Sequence, residues 1–321
     1  GTAVAEAASI GAVMIPGMKK AGYPISFAAA ITAAASTVGP IIPPSVPMII
    51  VGALTGVSVG RMFMAGAIPG LLLGLGMMLV CYILAVRNNY PRRPWQGWRE
   101  LWNSFLGAFW ALMLTALIVG GLLSGIVTPT ETALLACVYA FVVGVYFYKG
   151  ITLRQVPKIV IDSAITSAAL LALVGIANVF GWIMAAEQIP QTIAKAMLSI
   201  TNDRNLIILL INILLLIVGM FMETIAALII LFPTLMTVAT GVGIDPVHFA
   251  TFAVLNLMIG LTTPPVGVCL FVCANIAKEP LWEVIKAIFP FLIGNLVVLL
   301  MVSYIPQLSL WLPNLLFGVT K

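Results

Sequence analysis

Two carboxylates, Glu6 and Glu223, stand in long apolar sequence away from basic residues, and each follows a glycine-containing turn, Gly1-Thr2 and Gly219-Met220. A carboxylate at membrane depth is costly and marks function by default. Two further stretches combine hydroxyls with prolines: Ser36 to Ser45 (STVGPIIPPS) and Gly260 to Gly267 (GLTTPPVG). The prolines remove backbone donors and oppose helix, so each stretch should interrupt one. Unwound backbone inside a bilayer survives only where protein or a water-filled cavity satisfies it. Carbonyls freed at half-helix C-termini suit a hard cation such as Na⁺, and the positive N-termini suit a carboxylate. The plainer alternative is a pair of proline kinks that only shape packing. Two such kinks, each carrying hydroxyls, at symmetric places in the chain argue against it.

These residues sit in a chain of 321 amino acids that is 62% hydrophobic and 8% charged. Soluble domains carry about 25% charged residues, so the solvent of this chain is lipid. Its basic residues are scattered and form no stripe, which argues against nucleic-acid binding. Charge-free runs over 62–86, 101–130, 132–148, 163–186, 205–222, 224–244 and 287–320 are of spanning length or close to it. The segment 205–239 divides into arms of about 17 residues, too short for two full spans, and reads as a re-entrant hairpin with its tip near 219–224. At that tip Glu223 either accepts exposed amides, the preferred role, or handles an ion or proton.

Basic clusters set the orientation. Arg87, Arg92, Arg93 and Arg99, then Lys149, Arg154 and Lys158, lie in two short loops that the positive-inside rule places in the cytoplasm. Counting crossings puts Lys19 and Lys20 inside, Arg61 outside, and the balanced 187–204 loop (Glu187, Lys195, Asp203, Arg204) outside. Trp95, Trp98 and Trp102 read as interfacial anchors.

The punctuation repeats. Gly39, Pro43 and Pro44 recur 221 positions later as Gly260, Pro264 and Pro265, and Pro69 recurs as Pro290. Glu6 precedes Pro16 by ten residues, as Glu223 precedes Pro233. The connector Met18 to Tyr23 is basic and its counterpart Gly241 to Asp245 is not, so the copies are expected to be inverted across the membrane. The expected fold is an all-α polytopic membrane protein with inverted repeats, re-entrant hairpins and two interrupted transmembrane helices. Its divisions are 1–86, a first repeat; 87–204, an Arg/Trp-rich connector and scaffold; 205–304, a second repeat; and 305–321, a C-terminal tail.

Lesser signals read as structural. Thr128 with Glu131 forms a helix cap, His248 packs near the external surface, and Gly66, Gly70 and Gly74 permit close helix contact. Cys81, Cys137, Cys269 and Cys273 lie in apolar segments and read as packing. No Ser/His/Asp grouping or His-Glu-x-x-His motif occurs in the spans, which speaks against an enzyme. A passive pore would differ from a transporter only in failing to accumulate cargo against a gradient.

Taken together, Gly1 to Glu6, Met18 to Tyr23, Ser36 to Ser45, Gly125 to Glu131, Gly243 to Phe249 and Gly260 to Gly267 resemble the large membrane (M) subunit of tripartite ATP-independent periplasmic (TRAP) transporters. The family's subunit is longer at its N-terminus, so this chain resembles one lacking its first helices and the first arm of hairpin one. The resemblance implies an elevator-type Na⁺-coupled symporter in the bacterial inner membrane. Its implied partners are a small membrane (Q) subunit and a periplasmic substrate-binding (P) protein that delivers a small organic acid: a C4-dicarboxylate, a sugar acid or sialic acid. Carried over by motif, one ion site involves Gly1 and Thr2 with Ser36, Thr37 and Gly39. The other involves Met222, Glu223 and Thr224 with Asn256, Gly260, Thr262 and Thr263. The cargo is expected beside Thr2, Ser36, Pro44, Ser45, Thr263, Pro265 and Gly267.

Overall fold

A computed structural model describes residues 1–91, 95–124, 127–188, 192, 201 and 203–318. The expectations for Arg92, Arg93, Gly125 and Lys195 lie outside those residues. Every regular element among the described residues is helical, as lipid demands of backbone that must satisfy itself. Among the described residues, six helices are long and apolar enough to cross a membrane.

The chain divides into two compact units, one made of Gly1–Pro91 with Phe180–Lys321 and the other of Arg92–Val179. In the first unit the order begins α1 (Ala3–Lys20), α2 (Ile25–Ala35), α3 (Val46–Thr55) and α4 (Val59–Arg87). In the second, α5 (Trp98–Ser124) packs on α6 (Pro129–Val142), which continues as a π-helical stretch to Phe147. The Tyr139 hydroxyl donates to the Trp110 carbonyl at 2.9 Å and that of Tyr148 to Gly107 at 2.8 Å, pinning this hairpin. Helix α7 (Val156–Ala186) runs on into the first unit. There follow α8 (Arg204–Phe221), α9 (Thr224–Gly241), α10 (Pro246–Gly260), α11 (Val268–Ala277), α12 (Leu281–Tyr304) and α13 (Gln307–Phe317).

Helices α9 to α12 begin 221 or 222 positions after α1 to α4 respectively. In this register the partner of Glu223 is Thr2, not Glu6. Glu223 is the N-cap of α9, whereas Glu6 lies inside the first turn of α1. The expected Glu6–Glu223 equivalence is therefore corrected: Pro16 and Pro233 sit at different turns of their helices, and their shared spacing from a carboxylate is accidental.

Helices α2 and α10 form the core, and α10 is buried over every residue from Val247 to Gly260. The half-helices after the two breaks cross over. Helix α3 packs on α9 and α10, while α11 packs on α1 and α2. Each copy thus closes the other's broken helix.

Several local expectations are settled by contacts. Thr128 and Glu131 form a reciprocal capping box, with Glu131 Oε2 accepting from the Thr128 amide at 2.7 Å. A Cβ at Gly66 would strike the Ile41 carbonyl and Met48, and one at Gly70 would strike Ile42. At Gly74 nothing lies within 4 Å, so that glycine mediates no contact. His248 is wholly buried rather than interfacial, because α12 and α13 cover it. The stretch expected as a tail folds as α13. Arg61 is buried in the first turn of α4 and donates from Nη2 to Asn314 Oδ1 at 2.6 Å and from Nη1 to the Gly318 carbonyl at 2.7 Å.

Candidate functional site

Helix α2 stops at Ala35 and α3 starts at Val46, with turns between. The Ser36 hydroxyl donates to the Ala33 carbonyl at 2.8 Å and that of Thr37 to Ala34 at 2.7 Å. Both are buried, and each oxygen keeps its lone pairs free to face a cation. Gly39 is required by close approach, since a Cβ there would overlap the Glu6 carboxylate. Gly1 belongs to the same neighbourhood: a Cβ on it would lie 3.0 Å from the Pro44 carbonyl. Thr2 is the N-cap residue of α1, half-buried and without a side-chain capping bond. The first set of expected ion ligands therefore gathers around one break, with Glu6 added at its centre.

The second break follows Gly260. Thr262 and Thr263 both donate to the Ile259 carbonyl, at 2.9 and 2.8 Å, again leaving their lone pairs free. The helix pair α8–α9 brings its tip to this place. Gly219 meets Gly260 backbone to backbone, such that a Cβ on Gly260 would lie 2.6 Å from Gly219 Cα. Beyond Gly219 the tip residue Met222 is half-buried, and Glu223 accepts from the Ile225 amide at 2.7 Å and from Ala226 at 3.3 Å. This is the tip-capping role preferred for Glu223 from the sequence. Among the described residues three buried side-chain oxygens lack a hydrogen-bond partner; two of them, Thr224 Oγ1 and Asn256 Oδ1, belong to residues expected at this site, and the third is Asn295 Oδ1 on α12. Such groups are costly unless a ligand satisfies them.

The two breaks meet at a residue that was read only as packing. Cys269, buried at the start of α11, lies close to Ser36, Glu6 and Glu223. Cys273, one turn on, contacts the Ala7 carbonyl of α1. No local pattern could reveal this, because Ser36 and Cys269 are joined only by the crossover of α11.

Of the residues expected to meet cargo, Pro44 and Pro265 are exposed, Ser36 is buried, and Thr2 and Thr263 are half-buried. The Ser45 hydroxyl is buried, donating to the Pro40 carbonyl and accepting from the Met48 amide as the N-cap of α3. Gly267 has φ +53°, a left-handed value that favours glycine, and starts α11 with no side-chain cap. A groove of about 180 Å³, lined by Glu6, Ile10, Met14, Met18, Ile31, Thr32, Ala35 and Ser36, runs along α1 and α2 to the first break.

An all-helical, multi-pass membrane protein whose two broken helices gather lone pairs and unsatisfied oxygens has the make-up of a transporter, and comparison with known proteins gives the family. Residues 1–308 match the family described as "Tripartite ATP-independent periplasmic transporter, DctM component". The sialic acid TRAP transporter large permease protein SiaM of Vibrio cholerae is 40% identical over 318 residues, 99% of this chain and 74% of the relative. The C4-dicarboxylate TRAP transporter large permease protein DctM of Pseudomonas aeruginosa is 42% identical over 314 residues, 98% and 74% respectively. The isethionate TRAP transporter permease protein DctMQ of Oleidesulfovibrio alaskensis is 40% identical over 317 residues, 97% of this chain and 49% of that longer protein. The chain belongs to the TRAP transporter large permease family, whose members are transporter subunits and not enzymes.

Proposed function

We propose that this chain is the cargo- and ion-carrying subunit of a Na⁺-coupled importer of a small organic acid in the bacterial inner membrane. A periplasmic binding protein delivers the acid, and a small membrane subunit completes the permease. The cargoes named for its relatives, sialic acid, C4-dicarboxylate and isethionate, are all acids. The observation that carries the sodium reading is the pair of wholly buried, unpartnered oxygens, Thr224 Oγ1 and Asn256 Oδ1. A hard cation takes oxygen ligands, and midplane sites in secondary transporters use unwound backbone for the same purpose. With the lone pairs of Thr262 and Thr263 and the carbonyls freed after Gly260, these oxygens fit Na⁺ as a transported ion. Ser36, Thr37 and Glu6 would hold a second ion beside Gly39. The cargo acid would sit near the exposed Pro44 and Pro265 and the uncapped start of α11, where the helix dipole favours a carboxylate.

The movement proposed is an elevator in which 1–56 and 205–277 travel together. Its support is the crossover of α3 and α11, which ties both hairpins and both broken helices into one body. The re-entrant placement of α8 and α9 belongs to the same reading. Each arm has 18 residues and could span by length alone, so the argument rests on the tip's meeting the break at Gly260.

The direct test is uptake of a cargo acid into proteoliposomes over a Na⁺ titration. Replacing Thr262→Val and Thr263→Val together should raise the Na⁺ concentration for half-maximal uptake about tenfold, with membrane insertion intact. An unchanged Na⁺ dependence would overturn the assignment of these oxygens.

A further inference from the structure

Asn256 is surrounded by a buried polar chain that no sequence motif announces. Its Nδ2 donates at 2.8 Å both to the backbone carbonyl and to the Oδ1 of Asn212 on α8. Asn212 Nδ2 donates in turn to Ser303 Oγ on α12 at 3.0 Å. The Ser303 carbonyl faces His248 Nε2 at 3.1 Å, and His248 Nδ1 meets Ser309 Oγ at 2.7 Å. All five side chains are buried.

The direction of the Asn256 amide follows from this geometry. A backbone carbonyl can only accept, so the nitrogen of Asn256 must face Asn212 and the oxygen must face away from it. That oxygen is the one left without a partner. Reversing the amide would set an oxygen against a carbonyl and turn an NH₂ group, which repels cations, toward the place where oxygen is needed. Asn212 is itself fixed, because its Oδ1 accepts from Asn256 while its Nδ2 is held by Ser303.

We infer that Asn212 is a positioning residue for the cation site, holding the carbonyl oxygen of Asn256 toward the ion, and that Ser303 holds Asn212 in turn. The inference rests on the sodium reading above. Partners behind a ligand set both its orientation and its affinity for the ion. A hydrogen bond that served only folding would change stability without changing ion affinity.

The measurement is the thermal midpoint of the purified protein in lipid nanodiscs over a Na⁺ titration, with K⁺ keeping ionic strength constant. A ligand that binds only the folded state raises the midpoint as its concentration passes the dissociation constant. The readout is the half-saturating Na⁺ concentration, not the midpoint without Na⁺. Asn212→Leu should raise it about tenfold or more, Ser303→Ala about threefold, and Ser303→Thr, which keeps the hydroxyl, should restore the wild-type value. If Asn212→Leu does not fold, the Ser303→Ala and Ser303→Thr pair decides alone. A Na⁺ response in the wild type with unchanged half-saturation in the variants overturns the positioning role and leaves the sodium reading standing. No Na⁺ response in the wild type overturns both.

Discussion

The two broken helices share a register and a proline-rich sequence, yet they are built from different materials. At the first, a carboxylate presses on the glycine: Glu6 covers Gly39, and the hydroxyls of Ser36 and Thr37 come before it. At the second, backbone presses on backbone: Gly219 covers Gly260, and the hydroxyls of Thr262 and Thr263 come after it. The half-helices that follow also begin differently. Helix α3 is capped by the Ser45 side chain, whereas α11 starts from the left-handed Gly267 without a side-chain cap. A duplicated scaffold has thus kept its breaks and exchanged their linings. At the first break the carboxylate lies against the glycine itself, whereas at the second Glu223 caps its own helix and the half-helix that follows starts uncapped.

The largest expected effect tests the backbone contact. Gly260→Ala forces a Cβ into Gly219, where neither partner has a side chain that can rotate away. Overpacking of this kind costs about 3 kcal/mol, read as a lowered unfolding midpoint and a loss of monodisperse protein. Next comes Gly39→Ala, whose obstacle is the far end of a flexible side chain. It should cost about 2 kcal/mol and be largely relieved by Glu6→Ala, a coupling that a double-mutant cycle on stability measures directly. Equal damage at both glycines, with no relief from Glu6→Ala, would erase the contrast between a carboxylate-backed and a backbone-backed break. The smallest effects belong to the half-helix starts. Gly267→Ala should cost between about 1 and 2 kcal/mol for its left-handed backbone, and Ser45→Ala about 1 kcal/mol for a lost cap. Comparable unfolding losses from both would sharpen the comparison, whereas a neutral Gly267→Ala would break it.

The parts of the molecule whose causes are local were legible in the sequence. Hydropathy exposed the spans, Pro and Gly exposed the breaks at 36–45 and 260–267, and the Thr128–Glu131 cap was visible because its two members lie three residues apart. The same locality produced the false pairing of Glu6 with Glu223. The 221-residue recurrence of Gly39, Pro43, Pro44 and Pro69 already sets Thr2, not Glu6, opposite Glu223, and the helix starts repeat that frame at 221 to 222 residues. Asn212 gave no signal because its partners, Asn256 and Ser303, are 44 and 91 positions away. Ser45 was expected near cargo from the resemblance alone; its role as the N-cap of α3 depends on where that helix starts, which the double proline at 43–44 does not fix. Cys269 looked like one more small apolar residue until the crossover of α11 set it beside Ser36.

That crossover also governs when the protein can first exist. Helix α3 leaves the ribosome long before its supports α9 and α10, and α11 follows α2 by more than 200 residues. At synthesis rates of about 5–20 residues per second, the early half waits roughly ten to forty seconds with its break only partly covered. During that interval the first break has only α1 and α4 against it and lacks the cover of α9, α10 and α11. Until the second half arrives, the translocon or a membrane chaperone must provide the shelter. Biogenesis of this chain is therefore all-or-none across its two copies, and truncations between them should be degraded rather than accumulate as half-transporters.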